Sequence, residues 1–397
     1  MEPPDFEEAI QYLYLVNSNE NDYRINFEEK DHLYFVKNQL FGNAEMTTHT
    51  TEFLLPVTSA SKMLDEVFPS KFDQIASTTF NSAKFQIDRV DPNHRYFGCA
   101  SVNDIKKVWN VATMAGTAMH ETFEHLSNLR AYELMNKLPD RQLTNYYNTK
   151  YPTAEGYIFD IICEHLHINC GHCLFYRSEM RMFYDLLNIA GTTDTVLFDT
   201  TRNGYILTDF KRLGKGLDYP PKNPRKEVCD LAPSSRGSLL PFFRKQRNIN
   251  SVRYGVQLAI YKRLFELNNP EKKVIGMIMI IVNATKISGP DPVEFVEVPL
   301  HLYDEGVDEL LAHRASMILD HIIHDPKFDE KYGHVRDRLE ELKNKMTPDN
   351  NEENVEEAPK KRLSAREKAQ KLEEELKQEA RRQKREEDED DKWLDGG

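Results

Sequence analysis

The stretch IAGTTDTVLFDTTRNGYILTDFKR, residues 189–212, restricts the fold more than any other part of the chain. β-Branched and aromatic residues flank Thr201-Arg202-Asn203-Gly204, which predicts two antiparallel strands around a tight turn over residues 188–212. Side chains alternate across a strand, so Asp209 and Lys211 share a face. An even-numbered loop brings Asp194 onto that face too. A four-residue loop sets it opposite Lys211, and a two-residue Asn203-Gly204 loop sets it opposite Leu213. An odd loop or a bulge would break the arrangement. Ile206, Leu207 and Phe210 surround the charges, so the charged face is expected to abut a core.

Other segments frame this hairpin. Residues 105–130 have helical periodicity, with Trp109, Met119, Phe123 and Leu126 as core positions, and residues 254–267 form a second amphipathic helix. VIGMIMIIV (274–282) suits a buried strand, VEFVEVPL (293–300) an edge strand, and 304–323 a helix. Residues 23–36 resemble a hairpin, and 59–68 a short helix behind a Thr58/Ser59 cap. Strands interleaved with helices predict an α/β core. The 397 residues allow two or three domains. The expected division is an N-terminal hairpin and helical extension (1–100), a core (101–330) with a basic insertion (212–253), and a charged helical or disordered tail (331–397). Between Glu352 and Asp391 the tail's large apolar residues are few, among them Leu363, Leu372 and Leu376, too few for a coiled-coil seam.

Two carboxylates on one strand face repel each other. Lys211 relieves part of this, and a divalent cation would relieve more, with hard oxygen donors favouring Mg²⁺ or Mn²⁺. Such an ion polarises a phosphoryl oxygen and acidifies a bound water. Lys211 could orient or deprotonate that water, or offset charge on the phosphate. The bland alternative is a solvent-facing pair of surface charges. In GTAMHETFEHL, His120 and Glu124 stand four residues apart on one helix face and could both reach a metal, with Gly116 leaving room for close approach. Glu121 and His125 have the same spacing, so a plain surface helix stays open. Glu179 reads equally as a further acid or as a strand residue paired with Arg177 or Arg181. Gln257 and Tyr261, also four apart, read as substrate contacts or, for Tyr261, as core.

The net charge of -13 argues against a generic polyanion binder. The insertion is locally basic, however. Arg244, Lys245 and Arg247 follow Phe242 and Phe243, a combination that can track a phosphate backbone and stack on unpaired bases. A Pro-rich surface loop is the alternative. No apolar run reaches the ~20 residues of a membrane helix, so no membrane association is expected. The acidic N-terminus lacks the basic region of a secretory signal, and five cysteines point to a reducing, intracellular compartment. Pro359-Lys360-Lys361-Arg362 would suit nuclear import; otherwise the expectation is cytoplasmic. Cys163, His165, His167, Cys170, His172 and Cys173 crowd together, and a helix end with buried thiols explains them better than a structural metal.

Taken in order, Gly116–His120–Glu124, Glu179, Gly191–Asp194, Asp209–Phe210–Lys211 and Gln257–Tyr261 resemble the motifs of the PD-(D/E)XK nuclease superfamily, in its RecB-type and viral or phage exonuclease branch. The likeness covers residues 105–267, and HLYFV followed by PVTSASKML looks like the segment that precedes the core in viral members. Thr193 stands where many members have Pro, and the insertion before Gln257 is long. The resemblance implies a mixed central β-sheet flanked by helices, a restriction-endonuclease-like core. It also implies metal-dependent hydrolysis of DNA phosphodiesters, with exonuclease action in replication, recombination or repair. By the same resemblance His120, Asp194 and Asp209 hold metal, Lys211 is catalytic with Glu124 and Glu179 as further acids, and Gln257 and Tyr261 contact substrate or water. A reading of another class is a non-catalytic protein that binds DNA or a replication partner, with the charged tail as its docking segment; binding that survives EDTA without cleavage would mark it.

Overall fold

A computed structural model describes residues 6–28, 33–40, 56–68, 72–138, 141–151, 153–214, 240–244, 249–287, 289–323 and 326–346. The N-terminal elements are α1 (Phe6–Ala9), α2 (Tyr12–Val16), α3 (Asn21–Arg24), β1 (Ile25–Glu28), β2 (Leu33–Val36), β3 (Thr58–Ser59), α4 (Ala60–Val67), α5 (Phe72–Asn81) and α6 (Ala83–Asp88). The long α7 (Val102–Met135), α8 (Gln142–Lys150) and α9 (Ala154–His165) lead into β4 (Cys173–Tyr184), β5 (Ile189–Asp199) and β6 (Gly204–Leu213). Then follow α10 (Pro241–Arg244), α11 (Asn250–Asn268), β7 (Val274–Asn283), β8 (Val293–Glu297), α12 (Asp304–Ile323) and α13 (Pro326–Met346).

β3 to β8 make one mixed sheet. β4, β5 and β6 run antiparallel, β6 and β7 parallel, and β8 closes the edge antiparallel to β7. The parallel step needs a crossover, which α11 provides. Side chains of β7 alternate between the cores on the two faces of the sheet. Met277, Met279 and Ile281 pack with α4, α11 and α12, while Ile280 and Val282 pack with α7 and α9. The expected mixed sheet flanked by helices is therefore the observed one.

The functional geometry comes from an interruption in this sheet. β4 follows β5 along one edge. The other edge of β5 is shared. β3 pairs with Ile189 and Ala190, and β6 pairs with β5 only from Thr195 onward. Past Thr208, β6 leaves β5 and stays with β7 as far as Leu213. Side chains satisfy part of the backbone that the ladder abandons: Thr193 Oγ1 donates to the Thr208 carbonyl at 3.2 Å, and the Asp194 carboxylate accepts from the Phe210 N–H.

The β5–β6 loop holds four residues, 200–203, because Asp199 pairs with Gly204. An even loop keeps Asp194 on the face of Asp209. The register differs from both expected ones: Thr195 lies opposite Thr208, so Asp194 falls level with Asp209 rather than with Lys211 or Leu213. Asp199 sets this register by accepting from the Thr201 and Arg202 N–H groups, each at 2.9 Å, and Asn203 takes the left-handed φ of 50° that asparagine tolerates.

The described residues all fall within one compact unit. The β1–β2 hairpin packs Ile25 and Val36 on Phe183 and Ala190. α13 lies within the region assigned to the tail, yet it buries Val335, Leu339, Leu342 and Met346, an apolar stripe hidden among charges. The tail proper, including Pro359-Lys360-Lys361-Arg362, lies outside the described residues. In α7, Met119, Phe123 and Leu126 are buried as expected, while Trp109 is only partly buried, in a satellite cluster with Phe85, Tyr96 and Ile105. No helix among the described residues is long and apolar enough to cross a membrane.

Candidate metal centre

The site lies where β5 and β6 part. α7 supplies His120, β4 Glu179, β5 Asp194, and β6 both Asp209 and Lys211. Phe210 turns to the α7 side of the sheet, against Phe123 and nearly perpendicular to the His120 ring. That contact seats His120 at the gap, with Nδ1 3.3 Å from Asp194 Oδ1. One donor atom each from His120, Glu179 and Asp194 lies within 4.8 Å of the others. An imidazole and two carboxylates so placed could hold a divalent cation.

Asp209, expected as the third ligand, lies outside this group, and Glu179 takes its place. β6 has left β5 at this point, and Asp209 instead meets Lys211, with Nζ 2.6 Å from Oδ2. Apart from that ammonium, the buried Oδ2 has no hydrogen-bond partner among the described residues. Glu179 achieves its position through its backbone. Its φ is +45° in mid-strand, and the β4–β5 ladder pairs Ser178 with Thr195 and Met180 with Thr193 but skips the residue between. A non-glycine residue held in this region is strained, and such strain gathers at functional sites. Ser178 and Met180 stay buried while the carboxylate between them reaches the cleft.

Burial disfavours the His120 imidazolium, but Asp194 and Glu179 outweigh it and raise its pKa to about 9. Burial, then Asp194 and Glu124, hold the Glu179 carboxyl well above the usual range. Asp194 is depressed despite its burial, by His120, Lys211 and the Phe210 N–H. Burial raises Asp209 to about 6 against the pull of Lys211. Lys211 is itself held above its ordinary value, against burial, by Asp209 and Asp194. It therefore remains a cation at neutral pH, which favours charge stabilisation over proton abstraction.

A pH dependence follows. His120 binds its proton more tightly folded than unfolded, so its stabilising contribution is full below about 6.5 and disappears as pH rises through about 9. Asp209 acts in the same direction, its contribution full below 3.8 and lost as pH rises through about 6. Protein held in EDTA is expected to melt at a lower temperature above pH 9 than near pH 6, and Mn²⁺ is expected to remove most of the difference by taking the place of the His120 proton beside Asp194 and Glu179. A melting temperature flat with pH in EDTA would contradict these assignments.

The remaining expected residues are distributed around the cleft. Glu124, one turn beyond His120, is half-buried, raised by burial, and outside the group of three. Gln257 Nε2 donates to the Tyr261 hydroxyl at 2.8 Å and to Ser61 Oγ at 3.2 Å. Tyr261 is buried, and its ring explains Gly191: a Cβ there would stand 3.0 Å from Tyr261 Cε1. Gly191→Ala is expected to force the ring aside and destabilise the protein by ~1–3 kcal/mol, read by denaturant unfolding; an unchanged midpoint would show that the ring moves freely. Around Gly116 no described atom lies within 4 Å of a Cβ position, so that face of α7 is open beside the site. The Arg244 side chain, Lys245 and Arg247 lie outside the described residues. Cys163 and Cys173 are buried and Cys170 is exposed, and none of them joins a metal-holding group among the described residues.

Two neighbours escaped the sequence reading. Tyr254 lies with its ring centroid 5.1 Å from Lys211 Nζ. It precedes Gln257 by three residues on one helix, so spacing alone could have flagged it. Ser61 meets Gln257 across 196 positions, and no local pattern announces that. No protein-family model matches the chain, and neither does any curated protein.

Proposed function

We propose that the chain is a Mg²⁺- or Mn²⁺-dependent DNA nuclease of the PD-(D/E)XK type, acting as an exonuclease in DNA replication, recombination or repair. The observation that carries this reading is the convergence of His120, Glu179 and Asp194, with the Asp209–Lys211 pair on the neighbouring strand. Donor chemistry favours Mn²⁺ over Mg²⁺, since an imidazole joins the carboxylates. When bound, the cation supplies Lewis-acid polarisation of a phosphoryl oxygen and acidification of water. The chain's own groups supply the rest. His120, Glu179 and Asp194 hold the ion. Lys211 Nζ, kept cationic by two carboxylates, faces the charge that builds on the phosphate. Asp209, with a pKa near 6, accepts the proton of the water whose oxygen bonds to phosphorus, while the ester P–O bond breaks and the departing oxygen takes a proton from solvent. From α11, the Tyr261 hydroxyl lies near enough to feel the charges of Asp209 and Asp194, and Gln257 donates to it.

The test is digestion of end-labelled linear, circular and single-stranded DNA with Mg²⁺, Mn²⁺ or EDTA. Metal-dependent loss of label from linear DNA, with circular DNA spared, is the expected outcome. DNA binding that persists in EDTA, with no cleavage under either ion, would replace this reading with that of a non-catalytic DNA-binding protein.

A further inference from the structure

Glu179 occupies a strained conformation, and its flanks are tied to the N-terminal segment. Arg177, two residues before it, is 1% exposed; its Nη2 donates to Asp22 Oδ1 at 2.8 Å and its Nη1 to the Leu13 carbonyl at 3.2 Å. Its guanidinium carbon lies 4.2 Å from the Tyr14 ring centroid. Ser178 Oγ accepts from Asn128 Nδ2 at 2.9 Å, and Asn128 Oδ1 accepts from the Leu13 N–H at 2.8 Å. Asn128 belongs to α7, the helix that carries His120. On the far side of Glu179, Arg181 Nη1 donates to the Ile25 carbonyl at 3.2 Å. Residues 177, 178 and 181 of β4 are thus each linked to residues 13–25, directly or through Asn128.

We propose that Asp22 and Arg177 are positioning residues: through this clamp the N-terminal segment holds the Glu179 carboxylate in the metal-binding arrangement with His120 and Asp194. The inference rests on the metal centre proposed above. A strained residue keeps its conformation only where its surroundings over-determine it. A buried ion pair adds little to stability over an apolar replacement, whereas its directional contacts fix one geometry. Here the pair has side chains 1% and 0% exposed, and it fixes the strand two residues from the ligand. Without the Asp22 carboxylate, the buried guanidinium would keep its charge and lose its counter-ion, and the nearby strand would relax toward ordinary extended backbone. Groups that orient metal ligands typically change affinity by ~10–100-fold when removed.

The test uses the full chain and Mn²⁺, with affinity by calorimetry and melting temperature in EDTA. Asp22→Asn is expected to weaken Mn²⁺ binding by ~10-fold or more, with cleavage recovered at high Mn²⁺. The double variant Asp22→Asn/Arg177→Gln leaves no uncompensated buried charge and is expected to show the same loss; it carries the test where the single variant does not fold. Asp185→Asn is the control. It breaks a different tie to the N-terminal segment, the Arg24–Asp185 pair, outside the clamp, and is expected to lower the melting temperature with Mn²⁺ affinity unchanged. Wild-type affinity in the double variant, or an equal loss in the control, overturns the clamp. Absence of Mn²⁺ binding in the wild type overturns the metal centre and the clamp together.

Discussion

Lys211→Ala is expected to lower the rate of DNA cleavage by ~10²–10³-fold, the usual cost of removing a group aimed at developing charge, while Mn²⁺ binding survives. The split follows from position. Lys211 lies against Asp209, outside the group formed by His120, Glu179 and Asp194. Removing it deletes no donor to the ion. It does remove the cation that pulls down the Asp209 pKa, so Asp209 is expected to titrate above its present value of about 6 and the pH–rate profile to move upward with it. Lys211→Arg keeps the charge but not the compact ammonium, and is expected to restore only part of the rate. Cleavage at the wild-type rate in Lys211→Ala would remove this residue from the mechanism.

Asp194→Asn is expected to abolish detectable cleavage and to weaken Mn²⁺ binding by more than the ~10–100-fold that loss of an outer supporting group costs. Asp194 has two tasks. It offers a donor within 4.8 Å of those of His120 and Glu179, and its carboxylate accepts the Phe210 N–H that the β5–β6 ladder leaves behind. The amide can keep one of these tasks by accepting through its oxygen, so the fold is expected to survive. It cannot supply the negative charge that holds the His120 proton, so the His120 pKa is expected to fall from about 9 toward its ordinary value. Histidine proton NMR on the metal-free variant measures that shift directly. An unchanged His120 titration would mean that the 3.3 Å contact does not govern it.

Much of this architecture was readable from periodicity. α12 spans Asp304–Ile323 as expected, β7 and β8 begin at Val274 and Val293, and Ser59 caps α4 through the Lys62 N–H. These elements carry their signal locally, in alternation or a cap. The site was readable in its residue types more than in its arrangement. Asp194, Asp209 and Lys211 share a face because the loop is even, which a sequence can suggest. That β6 departs from β5 after Thr208, leaving Asp209 to Lys211, depends on strand pairing with β7 and on no local pattern. Glu179 was ambiguous for a related reason. Its role depends on a backbone conformation that glutamate rarely takes, imposed by contacts with residues far away in sequence. α13 was assigned to the charged tail because Lys, Glu and Asp dominate it, yet Val335, Leu339 and Leu342 suffice to dock it.

In the proposed centre His120, Glu179 and Asp194 together bind a divalent cation, with Asp209 beside them rather than among the ligands. Anomalous diffraction at the manganese edge from crystals soaked in MnCl₂ tests it most directly. A single strong peak bounded by the His120 imidazole and the Glu179 and Asp194 carboxylates is expected. A peak held by Asp209 without Glu179, or none at this cleft, would contradict it.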